Sequence, residues 1–139
     1  MLFPNKVKHR KWQRARKHVD KRGVASRGNK VTLGSYGLKA TSGARITSNQ
    51  IEAARKVIRR AIGKTGRLYI RVFPDRPYTQ KADQVPMGKG KGDPQGFCFE
   101  VQPGRILFEV DGVDEQIARE ALRKGGTKMP LTTKVSERY

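Results

Sequence analysis

The sequence predicts a small α+β protein, a two-layer sandwich in which two helices cover one face of a mainly antiparallel sheet. Two segments with helical apolar spacing and several short segments with strand-like alternation carry this prediction. The 139 residues leave room for one such domain and a tail, and they contain no internal repeat. We therefore expect a basic N-terminal arm over residues 1–30 and a single domain over residues 31–139, with a long loop over residues 74–96.

The first helix is marked by a start signal and by its spacing. Residues 47–50 (Thr-Ser-Asn-Gln) fit a capping box, and Gly63 stops the run. Apolar residues at helical spacing share one arc of this helix: Ile51, Ala54, Ile58 and Ile62. The opposite side is cationic: Arg55, Lys56, Arg59, Arg60 and Lys64. One face is predicted to be core and the other a cationic ridge.

Four strands are expected before the second helix. Residues 31–40 and 67–73 alternate apolar with other side chains, and Pro74 ends the second of these segments. Residues 97–102 and 105–110 are predicted to form an antiparallel hairpin across Pro103-Gly104, a pair that suits a splayed type II turn. Residues 74–96 contain four prolines and few aliphatic side chains, which favours one long surface loop.

The second helix is predicted over residues 113–124. Acidic residues stand in its first turn and basic residues in its last, which matches the helix dipole. Its expected apolar face consists of Ile117, Ala121 and Leu122. Gly125-Gly126 is expected to end it, and a short strand or tail over residues 131–135 follows.

The charge of the chain points to a polyanionic partner. Lysine and arginine number 31 against 12 acidic residues, so the formal net charge is +19. Such self-repulsion is tolerated most easily when a nucleic acid neutralises it. A membrane surface is the other common polyanion, but the sequence has neither a lipidation signal nor an amphipathic segment with large apolar residues.

The arm holds the densest run of positive charge. Residues 6–30 carry eleven lysines and arginines opposed only by Asp20, and their apolar residues are too sparse to bury a face. We expect an extended arm unless a partner orders it, and the charge of this segment favours contact with nucleic acid over a solvating tail. Trp12 lies in its middle, where it can either stack on a base or pack on the domain.

A glycine-lysine run forms the second cationic feature: Met87, Gly88, Lys89, Gly90, Lys91 and Gly92. Glycines beside each lysine leave the backbone free and add no bulk, so both ammonium groups can approach phosphates closely. A solvated linker is the alternative for such a run alone. The charge of the whole chain favours phosphate contact.

The sequence contains few residues that could form a catalytic site or bind a metal ion. Its single Cys98 and its two histidines, His9 and His18, exclude a disulfide framework and a zinc cluster. The histidines are interpreted as solvated arm residues or phosphate donors, and Cys98 as a small buried hydrophobe. Residues 63–65 (Gly-Lys-Thr) do not form a phosphate-binding loop, because Ile58 stands where the motif needs glycine.

Three carboxylates could meet across the predicted hairpin: Glu100, Glu109 and Asp111. Pairing with lysine and arginine explains them better than acid–base work. The sequence contains no cofactor motif, so no cofactor, no metal and no enzymatic activity are expected. An RNA-modifying enzyme and a DNA-architectural protein stay open as alternatives.

No apolar run is long enough to span a membrane, and the N-terminus lacks a signal core. It also lacks the serine content of a mitochondrial presequence, so Met1 is expected to be the mature start. One cysteine suits a reducing compartment. A cytoplasmic location is therefore expected.

Several segments together resemble one family, the bacterial large-subunit ribosomal protein L sixteen. The resemblance covers nearly the whole chain in order: residues 1–6 and 8–11, then 34–40, 46–55, 71–77, 87–92, 102–105, 109–113 and 128–130. Three features depart from the family pattern. Pro86 stands where the family commonly has arginine. Gly125-Gly126 replaces small helix-forming residues, so the end of the second helix should fray early. Residues 18–25 make the arm longer than is usual in the family.

The resemblance implies a hammerhead-type sandwich in the large ribosomal subunit, bound to 23S rRNA and active in translation and late subunit assembly. The loop over residues 87–92 would lie close to A-site tRNA, with P-site tRNA as a further target, near the peptidyl-transferase centre. Neighbouring ribosomal proteins are expected as partners, and neither a membrane nor a second copy of the chain. The rRNA-binding residues expected from charge and resemblance are Lys6, Lys8, Arg10, Lys11, Trp12, Arg14, Arg16, Lys17, Arg55, Lys56, Arg59, Arg60, Arg71 and Arg76.

Overall fold

The computed structural model describes residues 1–13 and 18–138. Its two helices are α1 (Ser48–Ile62) and α2 (Glu115–Gly126), and a 3-10 turn covers Val19–Lys21. The strands are β1 (Tyr36–Ala40), β2 (Ala44–Thr47), β3 (Arg67–Ile70), β4 (Arg76–Gln80), β5 (Asp93–Val101), β6 (Ile106–Asp111) and β7 (Thr133–Glu137).

The strands form two antiparallel sheets. One has the order β3-β6-β1-β7 and the other the order β2-β5-β4. The helices pack against each other, α2 also contacts β1, β6 and β7, and α1 contacts β2, β3 and β5. This arrangement confirms the predicted α+β sandwich.

Helix α1 has the predicted cap and the predicted buried face. The Thr47 hydroxyl accepts a hydrogen bond from the backbone N–H of Gln50, and the Gln50 side chain accepts one from the backbone N–H of Thr47 at 2.9 Å. Ile51, Ala54, Ile58 and Ile62 are all buried in the core. Local spacing and the cap together determined this element.

Helix α2 differs from the prediction at its end and in its face. Gly125 and Gly126 lie inside the helix, and Gly125 is buried. A Cβ atom on Gly125 would lie 2.5 Å from Cδ1 of Ile58, so the glycine permits the close approach of the two helices. Ala118 takes the buried place expected for Ile117, which stays 44% exposed. The expectation of early fraying was wrong because packing on α1 outweighs low helix propensity.

The predicted hairpin over residues 97–110 does not form. Strands β5 and β6 belong to different sheets. Gly104 has φ 98°, as the second central residue of a type II turn requires, and such turns splay the strands that they join. The turn bonds instead to the end of β1: Gly104 N–H donates to Ala40 O at 2.7 Å, and Ala40 N–H donates to Arg105 O at 2.8 Å.

The expectation of one continuous loop over residues 74–96 was also wrong. Strand β4 pairs with residues 93–98 of β5, from Arg76↔Cys98 to Gln80↔Asp93, which leaves residues 81–92 as the connection. The prolines are tolerated because β4 is an edge strand, and Pro94 lies beside a register shift of the pair. Strand β2 was not predicted, because it is short and runs directly into α1.

The other strands are shorter or shifted relative to the predictions. Only residues 36–40 of the expected strand 31–40 pair as β1, residues 67–70 of 67–73 form β3, and the final strand is 133–137. Val72 is nevertheless buried, while Leu68 and Ile70 are partly buried against the core, as the alternation predicted.

The second half of the arm packs on the domain. Val19 and Ala25 are buried, and Ala25 N–H donates to Pro103 O at 2.8 Å. The expectation of an extended segment therefore fails for residues 18–30. Its few apolar residues are enough because the folded domain supplies the surface that covers them.

Candidate nucleic-acid interface

The outer face of α1 carries the predicted cationic ridge. Lys56, Arg59 and Arg60 are exposed. Arg55 is half-buried and its Nε lies 3.1 Å from Oε2 of Glu52, a hydrogen bond that raises the pKa of Arg55. Arg59 donates to Gly66 O at 2.6 Å. Within residues 1–13 and 18–138, Lys56 and Arg60 make no hydrogen bond or ion pair, so both charges are available to a ligand.

The first part of the arm also presents its charges to solvent. Lys6, Lys8, Arg10 and Lys11 are exposed. Three further predicted phosphate contacts, Arg14, Arg16 and Lys17, lie outside the described residues. The exposed cations of the arm and those of the ridge are positioned to contact a polyanion.

The glycine-lysine run forms the exposed tip of the connection between β4 and β5. Met87 is 93% exposed. Gly88 and Gly90 have φ values of 87° and 101°, which glycine adopts without strain, and Lys89 between them lies in the left-handed region with φ 66°. The ammonium group of Lys91 donates to the carbonyl of Trp12, so this loop contacts the arm. Lys89 is exposed at the tip.

Arg71, in contrast, is used inside the protein. Its Nη1 lies 2.6 Å from Oε2 of Glu109, a side chain with no exposed surface, and 2.9 Å from the hydroxyl of Thr32. The other oxygen of Glu109 accepts hydrogen bonds from the backbone N–H groups of Thr32 at 2.7 Å and Leu33 at 3.1 Å. This network fixes the segment before β1, which explains why residues 31–35 are not a strand.

Arg76 joins the arm to the second sheet. Its Nη1 lies 2.8 Å from Oε1 of Glu100, and its Nη2 donates to Gln13 O at 2.9 Å. The guanidinium carbon lies 5.4 Å from the centroid of the Trp12 ring. Arg76 therefore holds the arm in place, a role that no spacing in the sequence could indicate, because the partners are far apart along the chain.

Glu100 and Glu109 pair with arginines, as predicted, but they do not meet, and the hydrogen-bond partners of Asp111 are Ser35 and Gly112. Glu100 lies on β5 and pairs with Arg22, Arg45 and Arg76, whereas Glu109 lies on β6 in the other sheet. Asp111 accepts a hydrogen bond from the hydroxyl of Ser35 at 2.8 Å and one from the N–H of Gly112, and these bonds lower the pKa of its carboxyl.

The Cys98 side chain is buried, as predicted, and burial raises the pKa of its thiol. Among residues 1–13 and 18–138, no three His, Cys, Asp or Glu side chains are grouped so that they could hold a metal ion. No helix in the same part of the chain has the length and apolar character needed to cross a membrane.

Fold and surface together define a small basic α+β protein with exposed cations on an arm, a helix ridge and a loop tip, among other places on its surface. Residues 4–136 match the family model described as Ribosomal protein L16p/L10e. The chain is 49% identical over 138 residues to the large ribosomal subunit protein uL16 of Francisella tularensis subsp. novicida (strain U112), covering 99% of this chain and 98% of that one. The same values hold for the uL16 of Francisella tularensis subsp. tularensis (strain WY96-3418).

The chain therefore belongs to the Ribosomal protein L16p/L10e family. It is a structural protein of the large ribosomal subunit that takes part in translation, and it is not an enzyme. Its partners are ribosomal RNA and other ribosomal proteins. Family membership confirms the resemblance carried by the sequence segments and removes the support for an RNA-modifying activity.

Proposed function

We propose that this chain anchors itself to 23S rRNA through the arm and the α1 ridge, and presents the loop over residues 87–92 to tRNA. The observation that carries the proposal is the division of its cations. Among residues 1–13 and 18–138, Lys56, Arg60, Lys6, Lys8, Arg10 and Lys11 are exposed and form no ion pair within 4 Å, whereas Arg71 and Arg76 are engaged inside the protein.

The proposed binding is driven by phosphate contacts and reads the shape of folded RNA. Each phosphate that a lysine or arginine neutralises releases counterions, which makes the affinity depend steeply on salt. Phosphate contacts fix position but carry no sequence information. Specificity then comes from the way the arm, the ridge and the loop, which lie on different elements, match one RNA surface.

Replacing both Lys56 and Arg60 by alanine should weaken binding to 23S rRNA fragments and flatten its salt dependence. Two lost phosphate contacts change the slope of log affinity against log salt by about 1.4 to 1.8, which at 0.1 M salt corresponds to roughly 25- to 60-fold weaker binding. Filter binding over a range of salt concentrations measures both quantities.

The matched control removes the same two residue types from α2, where Arg123 pairs with Glu120 and lies in the last turn beside Lys124. Arg123→Ala with Lys124→Ala lowers the formal charge equally. An equal change of slope in both variants would show that only net charge matters, and would contradict an RNA-binding ridge.

We further propose that the loop over residues 87–92 contacts A-site tRNA and extends to P-site tRNA near the peptidyl-transferase centre. Replacing Lys89 and Lys91 by alanine should weaken tRNA binding to assembled subunits and leave incorporation into subunits unchanged. Quantitative mass spectrometry of subunits and tRNA binding assays test the two halves. Because Lys91 also bonds to the arm, Lys89→Ala alone is the cleaner variant. A loss of incorporation with Lys89→Ala would contradict the division between anchor and loop.

The same anchoring supports a role in late assembly of the subunit and a location on cytoplasmic ribosomes. Depletion of the chain should then let subunits accumulate that lack it but contain proteins bound earlier. A preference of the purified chain for duplex DNA over 23S rRNA would instead favour the DNA-architectural alternative.

A further inference from the structure

Trp12 presents an aromatic surface on the arm. The guanidinium carbon of Arg76 lies 5.4 Å from the centroid of its ring, a distance typical of cation–π contacts. The indole nevertheless keeps 43% of its surface exposed. One face is covered by Arg76, and a large part of the ring is open to solvent.

The position of this ring is set by the folded domain. The side chain of Arg76 is only 14% exposed and is held by Glu100 at 2.8 Å and by the carbonyl of Gln13 at 2.9 Å. Lys91 donates to the carbonyl of Trp12 itself. The ring is thus placed before any ligand arrives, so a ligand that stacks on it has little ordering cost to overcome.

The surroundings of the ring favour a nucleic-acid base over protein packing. A tryptophan that serves packing alone is usually almost fully buried, whereas Trp12 keeps 43% of its surface exposed. Its neighbours on the arm, Arg10 and Lys11, are exposed cations that suit the phosphates on either side of a base. Proteins commonly bind unpaired RNA bases by stacking them on aromatic rings and guanidinium planes.

We propose that Trp12, backed by Arg76, is a stacking site for one unpaired nucleobase of RNA. The inference rests on the proposed binding of ribosomal RNA and goes further, because it names the chemical group and the residues that take it. The exposed cations next to Trp12 along the arm, Arg10 and Lys11, would contact the adjoining phosphates. The base is bound by its face, so the site accepts any base rather than reading one.

The site can be observed directly, because Trp12 is the one tryptophan in the sequence. Its fluorescence therefore reports this site alone. A short oligoadenylate added to the full chain should quench the fluorescence saturably, since stacking on a base quenches indole. The same oligonucleotide backbone without bases should bind through its phosphates, by anisotropy of a label, and leave the fluorescence unchanged.

Substitutions of Trp12 and Lys11 distinguish the contribution of base stacking to RNA affinity from the contribution of positive charge. Trp12→Ala should weaken oligoadenylate binding roughly 5- to 150-fold, the equivalent of about 1–3 kcal/mol per stacked base, without changing the salt slope. Trp12→Phe should retain most of the affinity. Lys11→Ala should change the salt slope by about 0.7 in a single-stranded ligand and leave quenching of Trp12 at saturation intact.

Each other outcome overturns the stacking site in a distinct way. Equal quenching by the base-free backbone would reduce the site to a phosphate contact. RNA binding with no quenching and no loss in Trp12→Ala would remove the site while the proposed function stands. A failure to bind any RNA would remove both. In assembled subunits, a photo-crosslinker at Trp12 should attach to RNA, and attachment only to a neighbouring protein would assign the ring to a protein interface.

Discussion

Replacing Glu109 by glutamine should lower the free energy of unfolding by about 3 kcal/mol. The carboxylate has no exposed surface and lies 2.6 Å from the guanidinium of Arg71. Removing one partner of a buried ion pair costs about 3–5 kcal/mol because the other charge is left uncompensated. The lower end applies, since Arg71 keeps 21% of its side chain exposed. Urea unfolding followed by circular dichroism measures the change.

The control for this prediction is Glu120→Gln, which removes an ion pair of similar length on the outer face of α2. Glu120 pairs with Arg123 at 2.6 Å, but both side chains are more than half exposed. Exposed ion pairs contribute little to the free energy of unfolding, so the urea midpoint of Glu120→Gln should not change measurably. Equal small changes in both variants would show that Glu109 does not hold the segment before β1.

Replacing Gly125 by valine should also destabilise the fold, by about 3 kcal/mol. Its Cβ would lie 2.5 Å from Cδ1 and 2.6 Å from Cγ1 of Ile58, which is fully buried. Overpacking of a tight core typically costs about 1–3 kcal/mol, and valine adds two further carbons at the helix contact. The free energy of unfolding in urea, with an unchanged m value, is the quantity to measure.

Two further variants test the cause. Ala53→Val lies on the exposed face of α1 and should cost less than about 1 kcal/mol, which measures helix propensity alone. Gly125→Val combined with Ile58→Ala nearly restores the packed volume, so the double variant should be more stable than the sum of the two single changes implies. Strict additivity would mean that the two side chains do not compete for the same space.

The elements that could be predicted from the sequence are those determined by local interactions. The capping box at Thr47 and the spacing of Ile51, Ala54 and Ile58 involve residues within a few turns of one another, and α1 agrees with them. Strands β1, β3, β5, β6 and β7 were predicted for the same reason, with shifted ends, whereas β2 and β4 were missed. The local alternation of apolar residues predicts that a strand is present, but it predicts the first and last residues of that strand only weakly.

The pairing of strands and the ends of helices depended on distant residues. The turn at Gly104 bonds to Ala40, more than sixty positions earlier, and this contact separates β5 from β6. Gly125 continues α2 because it faces Ile58 on another helix. Neither partner is visible in a local window, so the hairpin and the early helix end were both predicted incorrectly.

In the candidate interface, too, local sequence predicted some features, and contacts between distant residues determined the others. Counting charges along the chain was enough to identify the exposed cations of the arm, the ridge and the loop. Counting charges could not distinguish Arg71 and Arg76, which are engaged inside the protein, from the cations that are free to bind a ligand. Their partners, Glu109 and Glu100, come from later strands. Charge along a sequence indicates a polyanion binder, and only the fold shows which cations remain for the ligand.

The most direct test of the central claim is ultraviolet cross-linking of the tagged chain in cells, with sequencing of the attached RNA and mapping of the cross-linked peptides. The account predicts clustered sites in 23S rRNA from peptides of the arm and of α1, and tRNA from the peptide that contains Met87 to Gly92. Messenger RNA or DNA scattered over many sites, without enrichment of 23S rRNA, would contradict it.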